Sequence, residues 1–132
     1  MRENIKQNCN SIKGVRDLKV YLLSYELAME IFNITKKFPK EETYSLIDQI
    51  RRSSRSIVIN IREGYVKRKY EQVFIRHLND SLGSSEETRG WLEFSKDCNY
   101  ITKDKFQELD DRYDGISAML YTLINKWANF SL

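Results

Sequence analysis

The residues of this sequence best suited to a chemical role are cations that crowd into its middle third. Eight lysines and arginines fall within 26 residues: Arg51, Arg52, Arg55, Arg62, Lys67, Arg68, Lys69 and Arg76. Two carboxylates, Glu63 and Glu71, lie between the first and the last of them. Such a cluster can neutralise several phosphates of a nucleic acid and release their counterions. The alternative is that these cations are solvated, or that they pair with an acidic surface inside an oligomer.

The spacing of these cations places several of them on one surface. Three arginines stand at i, i+4 and i+11, along one edge of a helix: Arg51, Arg55 and Arg62. Arg52 falls on the neighbouring edge, and residues 67–69 follow in the next loop. Tyr65 and Tyr70 bracket that loop, where aromatic rings can stack on unpaired bases. The segment therefore predicts a surface that binds RNA or DNA.

Catalytic motifs are absent from the sequence. A di-iron bundle needs a glutamate three residues before each histidine, and Phe74 stands there before the only histidine, His77. A helical ribonuclease of the HEPN type needs an arginine separated from its histidine by four to six residues. Those positions are Gln72, Glu71 and Tyr70. No HExxH, Walker or GxSxG motif occurs, so we predict no enzyme, no cofactor and no metal site, with His77 as a boundary residue.

Four long helices are predicted to carry these residues. One proline and five glycines in 132 residues leave few interruptions. The first, third and fourth predicted helices span residues 17–37, residues 70–98, and residue 102 onwards. The second starts between residues 41 and 45 and ends at residue 64. Asp17 and Thr102 are the expected N-caps, and Gly64 is the expected C-terminal glycine of the second helix. Short loops then impose an all-α, antiparallel up-down four-helix bundle over residues 17–132, preceded by a flexible tail over residues 1–16.

Apolar and small residues at helical spacing predict which face of each helix is buried. The inward stripe of the third helix is Phe74, Leu78, Ser81, Ser85, Thr88, Leu92 and Ser95. The stripe of the fourth is Phe106, Leu109, Tyr113, Ile116, Leu120, Leu123 and Trp127. Small side chains in the third helix allow close approach of a neighbour. Gly83 costs about 1 kcal/mol of helix stability relative to alanine, so we expect a packing role for it.

The first helix has two apolar stripes. One contains Leu18, Tyr21, Leu22, Tyr25, Ala28, Met29 and Phe32, and the other contains Val20, Leu23, Leu27, Ile31 and Ile34. A helix of a lone four-helix bundle needs only one such stripe. The second therefore predicts burial against another subunit, and so a homo-oligomer.

The remaining composition predicts a cytoplasmic protein. No stretch of about 18 apolar residues is present, so we expect no membrane-spanning helix. The first fifteen residues have no apolar core of a signal peptide. Cys9 and Cys98 fit no zinc or redox spacing. The net charge of +3 is unevenly distributed, since residues 51–85 are basic and residues 86–132 are acidic. Such asymmetry governs association rather than fold.

Several motifs of the sequence resemble those of a known family. In order they are Asp17-Leu18 with Ala28, Phe38-Pro39-x-x-Glu42-x-Tyr44-x-Leu46-x-x-Gln49-Ile50-Arg51-Arg52-Ser53, Ser56-Ile57-x-x-Asn60-Ile61-x-Glu63-Gly64, and Gly83-Ser84-x-x-Glu87. They resemble the four-helix-bundle proteins found in intervening sequences of bacterial 23S ribosomal RNA genes. That family includes the accessory variability determinant of diversity-generating retroelements. The resemblance covers about residues 17–127.

The resemblance implies a homopentameric ring with a central channel and a basic surface. For the retroelement branch it also implies binding to RNA and DNA and a reverse transcriptase as partner. Two positions depart from the family pattern: Arg62 replaces a small residue and Ser81 replaces an alanine. Arg62 adds a positive charge, and neither change threatens the fold.

Three polar motif residues have roles that follow from their chemistry. Gln49 and Asn60 are amides on a helix, where burial demands hydrogen-bond partners, so we expect them to tie helices together. Glu63 stands near a helix C-terminus, which disfavours an anion, so we expect it to pair with an arginine, in the same or a neighbouring subunit. The sequence thus predicts a non-catalytic oligomer that binds nucleic acid, and the resemblance implies that it assists a reverse transcriptase. The alternative is a structural or protein-docking oligomer of the intervening-sequence type without a direct nucleic-acid role.

Overall fold

The described part of the chain folds into four α-helices linked by short turns. A computed structural model describes residues 13–130, with side chains described as far as Trp127. The helices are α1 (Lys19–Thr35), α2 (Leu46–Val66), α3 (Glu71–Asp97) and α4 (Lys103–Phe130). Two 3-10 turns, Val15–Asp17 and Lys40–Glu42, precede α1 and α2. No helix in the described part is long and apolar enough to cross a lipid bilayer.

Contacts between neighbouring helices run in antiparallel order. Arg62, late in α2, bonds to Tyr21, early in α1, whereas Arg51, early in α2, covers the ring of Phe32, late in α1. Cross-helix hydrogen bonds between α2 and α3 follow the same order and join Ser53 to Thr88, Ser56 to Ser84, and Asn60 to His77. The fourth helix packs against both α3 and α1 and closes the bundle. The predicted all-α four-helix bundle is confirmed for residues 13–130.

The inward stripe predicted for the third helix is buried in full. All seven residues, Phe74, Leu78, Ser81, Ser85, Thr88, Leu92 and Ser95, lie inside the bundle. The serines allow close approach and also bond across helices: the hydroxyl of Ser81 donates to the carbonyl of Ile57 at 2.8 Å. In α4 the middle of the predicted stripe is buried and its two ends are partly buried. Leu120 is fully buried there.

The ends of the helices correct some of the predicted caps. Thr102 caps α4 as expected, since its hydroxyl accepts a hydrogen bond from the amide of Lys105 at 3.0 Å. Asp17 does not cap α1. Its carboxylate accepts hydrogen bonds from the amides of Lys13 and Gly14 at 2.9 and 3.1 Å, and α1 begins two residues later. The aspartate therefore stabilises the preceding 3-10 turn.

The N-terminal tail expected over residues 1–16 falls only partly within the described chain. Residues 1–12 lie outside the described residues. Val15 is buried and packs with the main core. This turn thus joins the bundle before α1 begins.

The two apolar stripes of α1 differ in their burial. Val20, Leu27 and Ile31 of one stripe face the core. In the other, Tyr21 and Ala28 are buried, whereas Leu22, Tyr25 and Met29 are between 38% and 46% exposed. The single chain therefore leaves apolar surface of α1 uncovered, on the side towards α2.

Candidate nucleic-acid interface

The predicted arginine edge of α2 faces α1, where its side chains cover aromatic rings. The guanidinium carbons of Arg51 and Arg55 lie 4.8 and 5.7 Å from the ring centre of Phe32. That of Arg62 lies 5.8 Å from the ring centre of Tyr21, and its Nη1 donates to the Tyr21 hydroxyl at 2.8 Å. Cation–π contact orients a guanidinium group and leaves its N–H edge free to bind an acceptor. The helical spacing thus produces an ordered row of three cations, Arg51, Arg55 and Arg62, which we call the arginine row.

Arg51 differs from the other two because it is part of the bundle. Its Nε donates to the hydroxyl of Thr35 at 2.8 Å, and its Nη2 donates to the carbonyl of Phe32 at 3.3 Å. Both acceptors lie in the last turn of α1, where backbone carbonyls lack helical partners. Arg51 thereby completes the C-terminal end of α1 and is half-buried. Arg55 and Arg62 remain exposed.

Arg52 points away from the row and is already paired. It forms an ion pair with Glu87 of α3, and its Nε and Nη2 donate to Oε1 of Gln49 at 3.2 and 3.1 Å. The carboxylate of Glu87 also accepts a hydrogen bond from the indole of Trp91 at 3.0 Å. Arg52 therefore stabilises the α2–α3 contact, and Glu87 already neutralises part of its charge before any ligand binds.

Residues 67–69 form a basic turn whose backbone is held by hydrogen bonds. The amide of Lys67 donates to the carbonyl of Gly64 at 3.0 Å, and the amide of Tyr70 donates to the carbonyl of Lys67 at 2.8 Å. Nη1 of Arg68 donates to the carbonyl of Tyr65 at 2.9 Å. Arg76, in the second turn of α3, is also exposed. The turn thus presents three cations from a fixed backbone at one end of the bundle.

The two tyrosines that flank this turn differ in exposure. Tyr65 is only 8% exposed, and the Arg68 guanidinium lies 4.0 Å from its ring centre. Tyr65 cannot offer its ring to a base, so the stacking role predicted for it is wrong. Tyr70 is 63% exposed, and Nζ of Lys69 lies 6.0 Å from its ring centre.

Charge pairing is concentrated on the other side of the bundle. Arg89 of α3 bonds to Asp110 at 2.8 Å and to Asp114 at 3.1 Å, and the hydrogen bonds with Asp110 raise the pKa of Arg89 above its ordinary value. Lys105 and Arg112 of α4 both bond to Glu30 of α1, at 3.0 and 2.6 Å. Arg89, Lys105 and Arg112 therefore each have carboxylate partners within the bundle.

The cations of the arginine row and the basic turn have a different environment. Within the described residues, no carboxylate lies in ion-pair range of Arg55, Arg62 or Arg76, or of the residues 67–69. Glu63 makes no ion pair in this part of the chain either. The arginine expected to pair with it is therefore not supplied by the described chain itself.

An apolar groove between α1 and α2 is a feature that the sequence did not identify. It has a volume of about 210 Å³ and is lined by Tyr25, Ala28, Met29, Arg55, Val58 and Ile59. Ile59 is 51% exposed. The double stripe of α1 indicated the α1 wall of this groove. The α2 wall was missed because Ile59 falls outside the core stripe of its helix.

Comparison with known proteins establishes the family of this chain. The model of the 23S rRNA-intervening sequence protein family matches residues 16–122. The chain belongs to that family. It is also similar to a solved structure of a protein of unknown function from the S23 ribosomal protein family of Bacteroides thetaiotaomicron VPI-5482. The two are 32% identical with a TM-score of 0.73, over 80% of this chain and 97% of the other. A search of curated proteins gave no significant match.

In this member of the family, motif residues meet along the seam between α2 and α3. Nδ2 of Asn60 donates to the carbonyl of Ser56 at 3.0 Å, and its Oδ1 accepts from Nδ1 of His77 at 3.1 Å. Asn60 therefore ties two helices together, as predicted. Gln49 instead supports Arg52 on its own helix, and that arginine reaches across to Glu87.

The two motif glycines of this chain differ from expectation. Gly64 does not end the second helix: α2 continues to Val66, and Gly64 is buried. A Cβ atom at Gly64 would stand 2.8 Å from Cβ of His77 and 3.1 Å from a ring carbon of Phe74, so glycine is needed for close approach of α3. Gly83 has open space around it, so the packing partner expected for it is not within the described chain.

Proposed function

We propose that this chain is a non-catalytic, oligomeric nucleic-acid-binding protein. Its binding surface consists of the exposed cations at the C-terminal half of α2, in the basic turn and at the start of α3: Arg55, Arg62, Lys67, Arg68, Lys69 and Arg76. The supporting observation is that these six have no carboxylate partner in the described chain, whereas Arg89, Lys105 and Arg112 do. Unpaired exposed cations attract phosphate at little cost in broken contacts.

The position of these cations suits a phosphate backbone. Arg62 and Arg68 are oriented over aromatic rings, and both are also hydrogen-bonded, so little side-chain freedom remains to be lost on binding. Contacts to phosphate carry no sequence information. The proposal is therefore binding with weak sequence preference and strong salt dependence.

Assembly is the second element of the proposal. The groove between α1 and α2 and the exposed Leu22, Tyr25 and Met29 form apolar surface that a second copy of the chain would cover. The family resemblance of the motifs implies a homopentameric ring. Such a ring would repeat the basic surface around an axis, so that several weak phosphate contacts act together.

The proposed partner protein is the reverse transcriptase of a diversity-generating retroelement. This part rests on the resemblance of the motifs between Asp17 and Glu87 to the accessory variability determinant. A reverse-transcriptase gene with a template repeat beside the gene for this chain would support it. Location inside a 23S ribosomal RNA gene would favour the other branch of the family.

One observation favours a second candidate function, a structural oligomer that docks another protein. Arg55 lines the apolar groove, and Arg51 is built into the end of α1, so part of the arginine row borders apolar surface. A mixed apolar and cationic groove suits an acidic protein segment as well as a phosphate. A protein of that kind need have no affinity for RNA.

Paired charge variants distinguish these two functions. Replacing Lys67, Arg68 and Lys69 by Gln removes three charges from the basic turn. Replacing Lys37, Lys40 and Lys103 by Gln removes three exposed charges from the opposite end of the bundle, and it serves as the matched control. We expect fluorescence anisotropy with RNA and DNA oligonucleotides to show weaker binding for the first variant and near-parental binding for the control. Equal losses would indicate a general charge effect, and no binding by the parent would favour the docking function.

A further inference from the structure

We infer that the basic turn binds single-stranded nucleic acid, with an unpaired base stacked on Tyr70. This inference rests on the proposed function and adds to it the class of ligand. Cations alone bind the phosphates of single and double strands alike. A protein selects single strands when an aromatic ring stands beside the cations, because an unpaired base has a free face and a base in a duplex does not.

The exposure of Tyr70 supports this role. Tyr70 is 63% exposed although it directly follows three cations. Lys69 lies 6.0 Å from the ring centre, so a phosphate neighbouring a stacked base would meet a cation at short range. Val66, in the last turn of α2, is 74% exposed and adds apolar surface at the same end of the bundle.

The backbone that carries Tyr70 is fixed before any ligand binds. The amide of Tyr70 donates to the carbonyl of Lys67 at 2.8 Å, and its carbonyl accepts from the amide of Phe74 at 3.0 Å. The ring therefore projects from a closed turn joined to α3. Stacking on a ring held in this way costs less conformational entropy than stacking on a ring in a mobile loop.

Tyr65 has the complementary role of positioning a cation. Its ring is buried beneath the guanidinium of Arg68, whose Nη1 is also bonded to the carbonyl of Tyr65. Arg68 is thus held over the ring of Tyr65 near the turn, where its remaining N–H groups can meet a base or a phosphate. One tyrosine orients the cation, and the other supplies the stacking face.

The test measures binding of single-stranded RNA, single-stranded DNA and a DNA duplex of equal length by fluorescence anisotropy. We expect Tyr70→Ala to weaken binding of both single strands by about tenfold and to leave duplex binding unchanged. Tyr70→Phe should bind like the parent, because the ring alone stacks. Tyr44→Ala is the matched control, since Tyr44 is 93% exposed at the far end of α2.

The outcomes separate this inference from the proposed function. Loss of all binding when residues 67–69 become Gln, together with unchanged single-strand binding by Tyr70→Ala, would overturn the stacking role alone. Equal weakening of single strands and duplex by Tyr70→Ala would also overturn it. No binding of any probe by the parent would overturn the proposed function and this inference together. Circular dichroism of each variant confirms that the helices are retained.

Discussion

Gly64 and His77 lie so close that a Cβ on residue 64 would stand 2.8 Å from Cβ of His77. We therefore predict that Gly64→Ala destabilises the bundle by about 1–3 kcal/mol, the usual cost of overpacking. The better helix propensity of alanine, worth about 1 kcal/mol, offsets only part of this. Urea unfolding of both proteins measures the difference.

Gly83→Ala is the matched substitution, because a Cβ at Gly83 meets open space in the middle of α3. Here the helix propensity acts alone, and we expect stability to rise by up to about 1 kcal/mol. A stable Gly64→Ala protein would show that α3 can move away from α2. A destabilised Gly83→Ala assembly would show that another copy covers this face of α3.

The contacts of Gly64 also explain what sequence analysis could and could not predict. Apolar periodicity identified every buried residue of the α3 stripe, because this periodicity depends only on the sequence of one helix. A glycine at a helix end and a glycine at a close helix contact look the same in sequence. Reading Gly64 as an end placed Tyr65 in a loop. In the structure α2 continues past Gly64, so Tyr65 lies one turn after Ile61 and is buried with it.

The charged residues of the site show a second limit. The i, i+4, i+11 spacing identified the arginine row because it depends on one helix. The pairing of Arg52 depends on Glu87, 35 residues away, and local sequence does not reveal it. The groove beside Ile59 likewise needs two helices to form.

The unequal environments of Arg51 and Arg55 give a second prediction. Arg51→Gln removes hydrogen bonds to Thr35 and to the carbonyl of Phe32, so we expect a loss of about 1–3 kcal/mol in the free energy of unfolding. Arg55→Gln removes no such bond, and its stability should change by less than about 0.5 kcal/mol. Thermal and urea unfolding test the pair. Similar stability losses in both would mean that Arg51 does not hold the end of α1.

Glu30 predicts a specific loss of stability in acid. Burial on its own would raise the pKa of Glu30, but hydrogen bonds from Lys105 and Arg112 outweigh burial and hold the pKa below its usual value. A carboxyl with a lowered pKa stabilises the fold above its unfolded pKa, and this stability is lost as pH falls through its folded pKa. We expect Glu30→Gln to be less stable than the parent at pH 7. The gap between their free energies of unfolding should close as the pH falls below about 4. A gap that stays constant between pH 7 and pH 3 would refute this.

The groove between α1 and α2 predicts the behaviour of an assembly variant. Ile59→Asp places a charge on the α2 wall of the groove, which is costly if a second copy covers it. We expect sedimentation to show the parent as an oligomer and the variant shifted towards the 15.8 kDa monomer. Tyr121→Asp, at an exposed residue of α4 outside the groove, should assemble like the parent. A monomeric parent, or an unshifted Ile59→Asp variant, would exclude this groove as the interface.

Salt dependence of RNA binding tests the central proposal most directly. If the unpaired cations of α2 and the basic turn contact four or more phosphates, the logarithm of the binding constant should fall with the logarithm of salt concentration with a slope of about −3 or steeper. That corresponds to a loss of about fiftyfold or more between 50 and 200 mM salt. Anisotropy titrations of the parent protein with a single-stranded RNA at four salt concentrations measure this slope. A slope near zero, or no binding at 50 mM salt, would contradict the nucleic-acid role of this surface.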